Sequence, residues 1–156
     1  MNVKVVILRG VPGAGKSTVV RKFYANAVVC SADNYFIGAD GRYNYDATKA
    51  GEAHSWCFKE FIRNLNQAKN TADQTTIVVD NTNVRLWEYQ NYVGLANLLE
   101  VPVVVIEVMP TTLKQLKDCC VRNTHNVPQH IIASMAMSFE HDEAAVCYDT
   151  MGRKLS

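Results

Sequence analysis
Apolar and polar positions along this chain switch repeatedly between two periods. Val3 to Leu8 is an unbroken apolar run, the mark of a strand buried on both faces. A glycine-rich turn follows, then a helix opening at Lys16 and a short strand at Val28 to Cys30. After a polar loop from Gly38 to Tyr45, Asp46 is placed to cap a long helix in which Ala50, Ala53, Cys57, Phe61, Leu65 and Ala68 recur at helical spacing. Thr75 to Asp80 predicts another buried strand, Leu86 to Leu99 a helix, and Val103 to Val108 a further strand. A helix over Thr112 to Val121 takes Thr111 or Thr112 as its cap, and Pro128 fits the first turn of one more helix reaching about Phe139. The run AAVCY is a candidate fifth strand, and the tail of about 150–156 is expected to fray into disorder.

Strand and helix in this alternation predict an α/β fold, a parallel sheet with helices on both faces. The 156 residues fit a single domain, 1–156, with a real core and no room for a second catalytic unit. A formal net charge of +1 argues against a broad nucleic-acid-binding surface, although a local basic groove is compatible with it. The five cysteines, Cys30, Cys57, Cys119, Cys120 and Cys147, are odd in number and fall mostly within predicted elements, which suits a reducing compartment. Cys119 and Cys120 with the nearby His125 and His130 lack metal-ligand spacing, so no structural metal is expected. No run reaches membrane-spanning length and the N-terminus enters a strand at once, so the expectation is a soluble cytoplasmic protein with no membrane partner.

The candidate chemistry begins in the turn after the first strand. GVPGAGKST, comprising Gly10, Val11, Pro12, Gly13, Ala14, Gly15, Lys16, Ser17 and Thr18, fits G-x-x-x-x-G-K-[ST] at every fixed position. The glycines allow backbone angles that turn successive amides inward around phosphate oxygens. Lys16 then reaches the β- and γ-phosphates, Ser17 offers a hydroxyl to Mg²⁺, and the following helix points its positive end at the anion.

Ligands in such sheets bind outside the carboxyl ends of the strands, which singles out two more segments. In SADNYF, Asp33 follows the second strand, either as the group that accepts a proton from an attacking hydroxyl or as the Asx-turn of a short loop. In DNTN, Asp80 ends an apolar strand in the manner of a Mg²⁺-organising acid, or else caps the next helix. Asn81 and Asn83 beside it are either turn formers or groups on the acceptor side. Arg122, with the segment RNTHNVP, has the form of a lid at about 119–130 that brings positive charge over a nucleotide, or it simply complements the helix dipole. Trp56, Trp87, Tyr89 and Tyr92 could stack bases, though core packing explains most of them, whereas Tyr35 and Phe36 lie in the acceptor loop and Arg42 and Lys49 border it.

GVPGAGKST, SADNYF, the Ala53-His54 pair, VVDNTNVRLWEY and RNTHNVP, in this order and spacing, resemble the P-loop kinase family that contains phage polynucleotide 5′-kinase and kinase-like domains of animal proteins. The resemblance spans Val3 to about Glu140. It implies a P-loop NTPase fold with a five-stranded parallel sheet and a short helical lid, ATP with Mg²⁺ as donor, and transfer of the γ-phosphate to a hydroxyl. By position, Lys16 and Ser17 look like the phosphate and metal residues, Asp33 like the general base, Asp80 like the active-site acid and Arg122 like a lid arginine. His54 recurs in the family pattern near the acceptor. The chain departs from the phage enzyme where Phe36 replaces an arginine near the acceptor's phosphate, and where the lid carries no second arginine before Val127. The expected acceptor is an oligonucleotide 5′-hydroxyl, with a nucleoside, sugar or similar metabolite as the alternative and a nucleotide-sensing module as the third reading.

Overall fold
The apolar run near the N-terminus is the central strand of the sheet in a computed structural model, which describes residues 2–155. This strand, β1 (Val3–Arg9), lies between β3 (Thr75–Asp80) and β4 (Val103–Val108), with Val5 level with Ile77 on one side and Val103 on the other. β2 (Val28–Cys30) pairs with β3 and β5 (Val146–Tyr148) with β4, giving the order β2-β3-β1-β4-β5 with every pairing parallel.

Because successive side chains of a strand point to opposite faces, β1 feeds two cores. Val3, Val5 and Ile7 pack with Ile77 and Val79 under α2 (Ala50–Lys69) and α3 (Gln90–Leu98). Of the helical stripe read from the sequence, Ala53, Cys57, Phe61, Leu65 and Ala68 form the buried face of α2, while Ala50, at its first position, is half-buried. Val6 and Leu8 pack with Val78, Ile106 and Val108 against Val19 of α1 (Lys16–Phe23), Cys119 of α4 (Leu113–Arg122) and Ile132 of α5 (Gln129–Ser138). Each fully buried Leu or Ile among these contributes about 1.5–3 kcal/mol. Thr112 caps α4, its hydroxyl accepting from Gln115 N at 3.1 Å. Among the described residues no helix is long and apolar enough to cross a membrane.

Three local expectations are corrected. The helix expected over Leu86 to Leu99 divides into a 3-10 turn, Leu86–Tyr89, and α3. Its first turn is tightened from outside: Leu86 N donates to Glu140 Oε1 at 3.1 Å and Tyr89 OH to Asp142 Oδ2 at 2.6 Å. Asp46 caps a 3-10 turn, Ala47–Lys49, which leads into α2, so it does not cap α2 directly. The tail expected to fray instead folds back, with Asp149 Oδ1 accepting from Met151 N and Arg153 N at 2.9 Å each and Leu155 N donating to Cys147 O at 2.7 Å. Ser156, the last residue of that expectation, lies outside the described residues.

The end of β1 carries a buried cation. Arg9 is 0% exposed and donates from Nη1 to Glu107 Oε2 at 2.6 Å, from Nε to Asn83 O at 2.8 Å, and from Nη2 to Val84 O and Glu140 O at 3.1 and 2.7 Å. Its guanidinium lies 4.6 Å from the Tyr89 ring centre and 4.4 Å from that of Phe139. Four of its five N–H groups are used, which offsets the cost of desolvating the charge, and the stretch immediately before Gly10 is thereby fixed.

Candidate active site
The phosphate-binding turn grows out of this anchored strand end. Gly10 N donates to Thr82 O at 2.9 Å, and the buried side chains of Val11 and Ala14 pin the turn to the core. Gly13 has φ 77°, and a β-carbon there would stand 2.1 Å from the carbonyl oxygen of Cys119, so only glycine lets the turn approach the last turn of α4 this closely. Gly15 precedes α1 without any side-chain cap, and the first turn of α1 carries no acidic residue. Its first amides therefore remain available to an anion at the positive end of the helix.

Lys16 Nζ folds back over the turn, donating to Gly10 O at 2.8 Å and Val11 O at 3.2 Å. Burial pushes its ammonium below the ordinary lysine value, while the charges of Asp80 and Asp33 pull it back up. Asp80, at the end of β3, is pushed up by burial, with Lys16 opposing the shift and Asp33 adding to it. The three groups from the ends of β1, β2 and β3 thus stand within electrostatic reach of one another.

Asp33 is held by a 3-10 turn, Ala32–Phe36, capped by Ser31, whose Oγ accepts from Asp33 N at 3.3 Å. Its Oδ1 accepts from Tyr43 OH at 3.3 Å, and its Oδ2 lies 3.5 Å from His125 Nε2. Tyr43 is raised to about 12 by burial, together with the charge of Asp33 and the hydrogen bond to it, so the phenol keeps its proton as donor.

The remaining residues singled out from the sequence divide by place. Ser17 and Thr18 are exposed at the start of α1. Asn81 and Asn83 belong to the scaffold: Asn81 Oδ1 accepts from Ala32 N at 2.8 Å, tying β3 to the Asp33 turn, and Asn83, at φ 46°, donates to Leu8 O at 2.8 Å. Phe36 is buried edge-on to Tyr35, Tyr43 and Tyr45. Tyr35 OH donates to Glu52 at 2.7 Å. Arg42 is exposed, its Nε 3.7 Å from Asp40 Oδ2, and His54 is exposed on α2. Tyr35 and Phe36 border a wide cleft of about 690 Å³ with Tyr45, Asp46 and Lys49.

Arg122 lines a second cleft, of about 340 Å³, with Gly15, Thr18, Phe23 and the turn from Tyr148 to Gly152. Here sequence reasoning missed part of the site, because the turn after β5 was read as a frayed end. Within it Thr150 Oγ1 is a buried hydroxyl without a hydrogen-bond partner among the described residues. The signal was present, since the rule that ligands bind at the carboxyl ends of strands applies to β5 as much as to β1. Tyr43 and His125 were missed for another reason, as nothing in their spacing relates them.

Fold and site together define a P-loop kinase-like α/β domain. A family model described as an AAA domain matches residues 5–141, and the chain belongs to that family. NEDD4-binding protein 2 of Homo sapiens is 33% identical over 140 residues, a match that covers 86% of this chain and 8% of the relative, so the chain spans less than a tenth of that protein's length. Among solved structures, the Pnkp1/Rnl/Hen1 RNA repair complex contains a chain with TM-score 0.62 and 22% identity, covering 86% of this chain and 43% of that one. The APS kinase CysC of Mycobacterium tuberculosis, in complex with AMPPNP and APS, aligns with TM-score 0.59 and 17% identity over 94% of this chain and 87% of the other. The neighbours thus include proteins named for nucleic-acid repair and for small-molecule phosphorylation.

Proposed function
We propose that this domain transfers the γ-phosphate of ATP to a hydroxyl, with the 5′-hydroxyl of an oligonucleotide as the first-choice acceptor. The observation that carries the reading is the meeting of Lys16, Asp33 and Asp80 at the carboxyl ends of three neighbouring strands. A phosphate-binding turn alone serves many nucleotide binders, but a carboxylate placed across from it has a use in taking the proton of an attacking hydroxyl.

In this reading the amides of Gly13 to Lys16 cradle the phosphates and Lys16 stabilises the charge that develops on the transferred group. Asp33 accepts the hydroxyl proton as the oxygen–phosphorus bond forms. Ser17 and Asp80 offer hard oxygen donors of the kind Mg²⁺ prefers, and the cation would neutralise phosphate charge there. The nucleoside end of ATP occupies the cleft between Arg122 and the turn after β5, whose lining includes Thr150, a residue with a hydroxyl to offer to a ligand rich in hydrogen-bonding edges. Tyr45 and Lys49 in the wide cleft supply a ring and a cation suited to an oligonucleotide. Burial of Phe36, where a phosphate-binding arginine would stand, favours the second reading, a small-molecule acceptor.

The test is incubation with γ-labelled ATP and Mg²⁺, offering 5′-hydroxyl DNA and RNA oligonucleotides beside a pool of nucleosides and sugars, with Lys16→Ala and Asp33→Asn as controls. Label on an oligonucleotide 5′ end, absent in both variants, supports the first reading. Label confined to the small molecules selects the second. Tight ATP binding without any transfer leaves either an acceptor outside the pool or a nucleotide-sensing module.

A further inference from the structure
We propose that His125 is a positioning residue that joins the lid to the acceptor loop across the catalytic carboxylate, so that lid closure and the setting of Asp33 are one event. The inference rests on the reading of Asp33 as the base.

A half-exposed aspartate is free to rotate about its side-chain bonds, and Asp33 is 51% exposed. Yet each of its oxygens faces a group from a different segment. Tyr43, in the loop that follows Phe36, reaches Oδ1, and His125, in the loop between α4 and α5, reaches Oδ2. These two residues also meet each other: their ring centres are 4.1 Å apart with a 37° tilt. Three contacts therefore close a triangle between two loops far apart in the chain, with the carboxylate at one corner.

Both loops are built to hold these rings. On the lid side, Asn123 Oδ1 accepts from His125 N and Val127 N at 3.2 Å each, and Asn123 Nδ2 donates to Val127 O at 2.9 Å, folding the segment around one side chain. On the acceptor side, Ile37 bridges to Tyr43, Gly38 N donates to Arg42 O at 2.9 Å, and Phe36 lies edge-on to Tyr43. Tyr43 thus fixes the carboxylate through Oδ1, and the imidazole covers Oδ2, the oxygen left to take the acceptor's proton. At 3.5 Å the imidazole contact is looser than a full hydrogen bond, as catalytic contacts often are before substrate tightens the site.

The test measures oligonucleotide 5′-phosphorylation kinetics together with hydrogen exchange of residues 37–45 in the ATP-bound protein. His125→Ala is expected to lower kcat about 10–100-fold while changing the KM for ATP less than about threefold. It is also expected to speed exchange in 37–45, a segment that it does not adjoin in sequence. His125→Gln, which keeps a donor at similar reach, should recover part of both effects, whereas Tyr43→Phe keeps the ring and loses the grip on Oδ1, lowering kcat without speeding exchange as much. Unchanged exchange in His125→Ala overturns the proposal, and so does unchanged kcat when Asp33→Asn abolishes transfer. If Asp33→Asn leaves transfer intact, the reading of Asp33 as base fails separately, and if only a small molecule is labelled the same kinetics are read on that acceptor. The link between the loops is then upheld by faster exchange in His125→Ala and overturned by its absence.

Discussion
The carbonyl oxygen of Cys119 lies 2.1 Å from the point where a β-carbon on Gly13 would stand. The phosphate turn and the last turn of α4 are therefore in backbone contact, and the helix that carries Arg122 ends against the phosphate turn. Gly13→Ala adds this overlap to an unfavourable positive φ, and is expected to cost about 2–3 kcal/mol and to abolish ATP binding. Gly41→Ala is the control, having φ 79° but nothing within 4 Å of the added carbon. It should cost only about 1–2 kcal/mol and leave binding intact, as read by urea unfolding and nucleotide titration.

Arg9 and Glu107 predict an asymmetric response. Arg9→Met leaves Glu107, itself 3% exposed, without its buried cation and held only from the rim by His141 and the Asp142 amide, and is expected to destabilise the fold by about 3–5 kcal/mol. Adding Glu107→Gln to that variant removes the stranded charge and should restore part of the loss. Chemical denaturation of the two single variants and the double reads the coupling directly.

Thr150→Val separates a binding role from a packing role. The hydroxyl has no hydrogen-bond partner among the described residues, so its removal should leave stability unchanged or raise it by about 1 kcal/mol. If it serves the nucleoside, ATP affinity should fall about three- to tenfold by calorimetry, in line with the loss of one hydrogen bond.

Two groups give the stability a pH dependence of opposite sign. The hydrogen bond with Glu107, at 2.7 Å, together with the charge of that carboxylate, raises His141 above its ordinary 6.5. A group raised in the folded state contributes fully below 6.5, and its contribution is lost as pH climbs through the folded value. Asp149 is held below its ordinary 3.8 by the backbone hydrogen bond from Arg153, with Met151 N and Gln115 adding to it against desolvation. Its contribution is present above 3.8 and is lost as pH falls through the lowered value. Melting temperature should therefore decline gently from about pH 6.5 upward in the native chain and more weakly in His141→Asn, while Asp149→Asn should flatten the acid limb. His141 is 52% exposed, so its slope is screened and shallow.

What the sequence revealed and what it withheld divide along the range of the forces involved. The double-sided apolar run of β1 and the glycine spacing of the phosphate turn are local patterns that appear in the structure at the residues expected, and the stripe on α2 does so from Ala53 onward. The start of α3 was misread because its geometry is set by Glu140 and Asp142, far downstream. Arg9 reads as an ordinary polar strand end, since its four acceptors come from three separate segments. The contact of His125 with Asp33 and Tyr43 has no signature in spacing at all. It exists only because the fold brings the loop after β2 against the segment that follows α4.

In the proposed reaction that sheet order would also lay the ligands out along a line. The loop of β2 would face the acceptor, β1 in the middle would hold the phosphates, and the turn after β5 borders the cleft proposed for the nucleoside, in the sequence β2-β3-β1-β4-β5. With neighbouring strands about 4.8 Å apart, the two outer strands are about 19 Å from each other. The phosphoryl group would travel across the strands, and the two ends of its path are shaped by opposite margins of one sheet. A change of acceptor could be written entirely into the β2 margin, by residues such as Phe36, Tyr43 and Tyr45, without disturbing how the donor is held at the other.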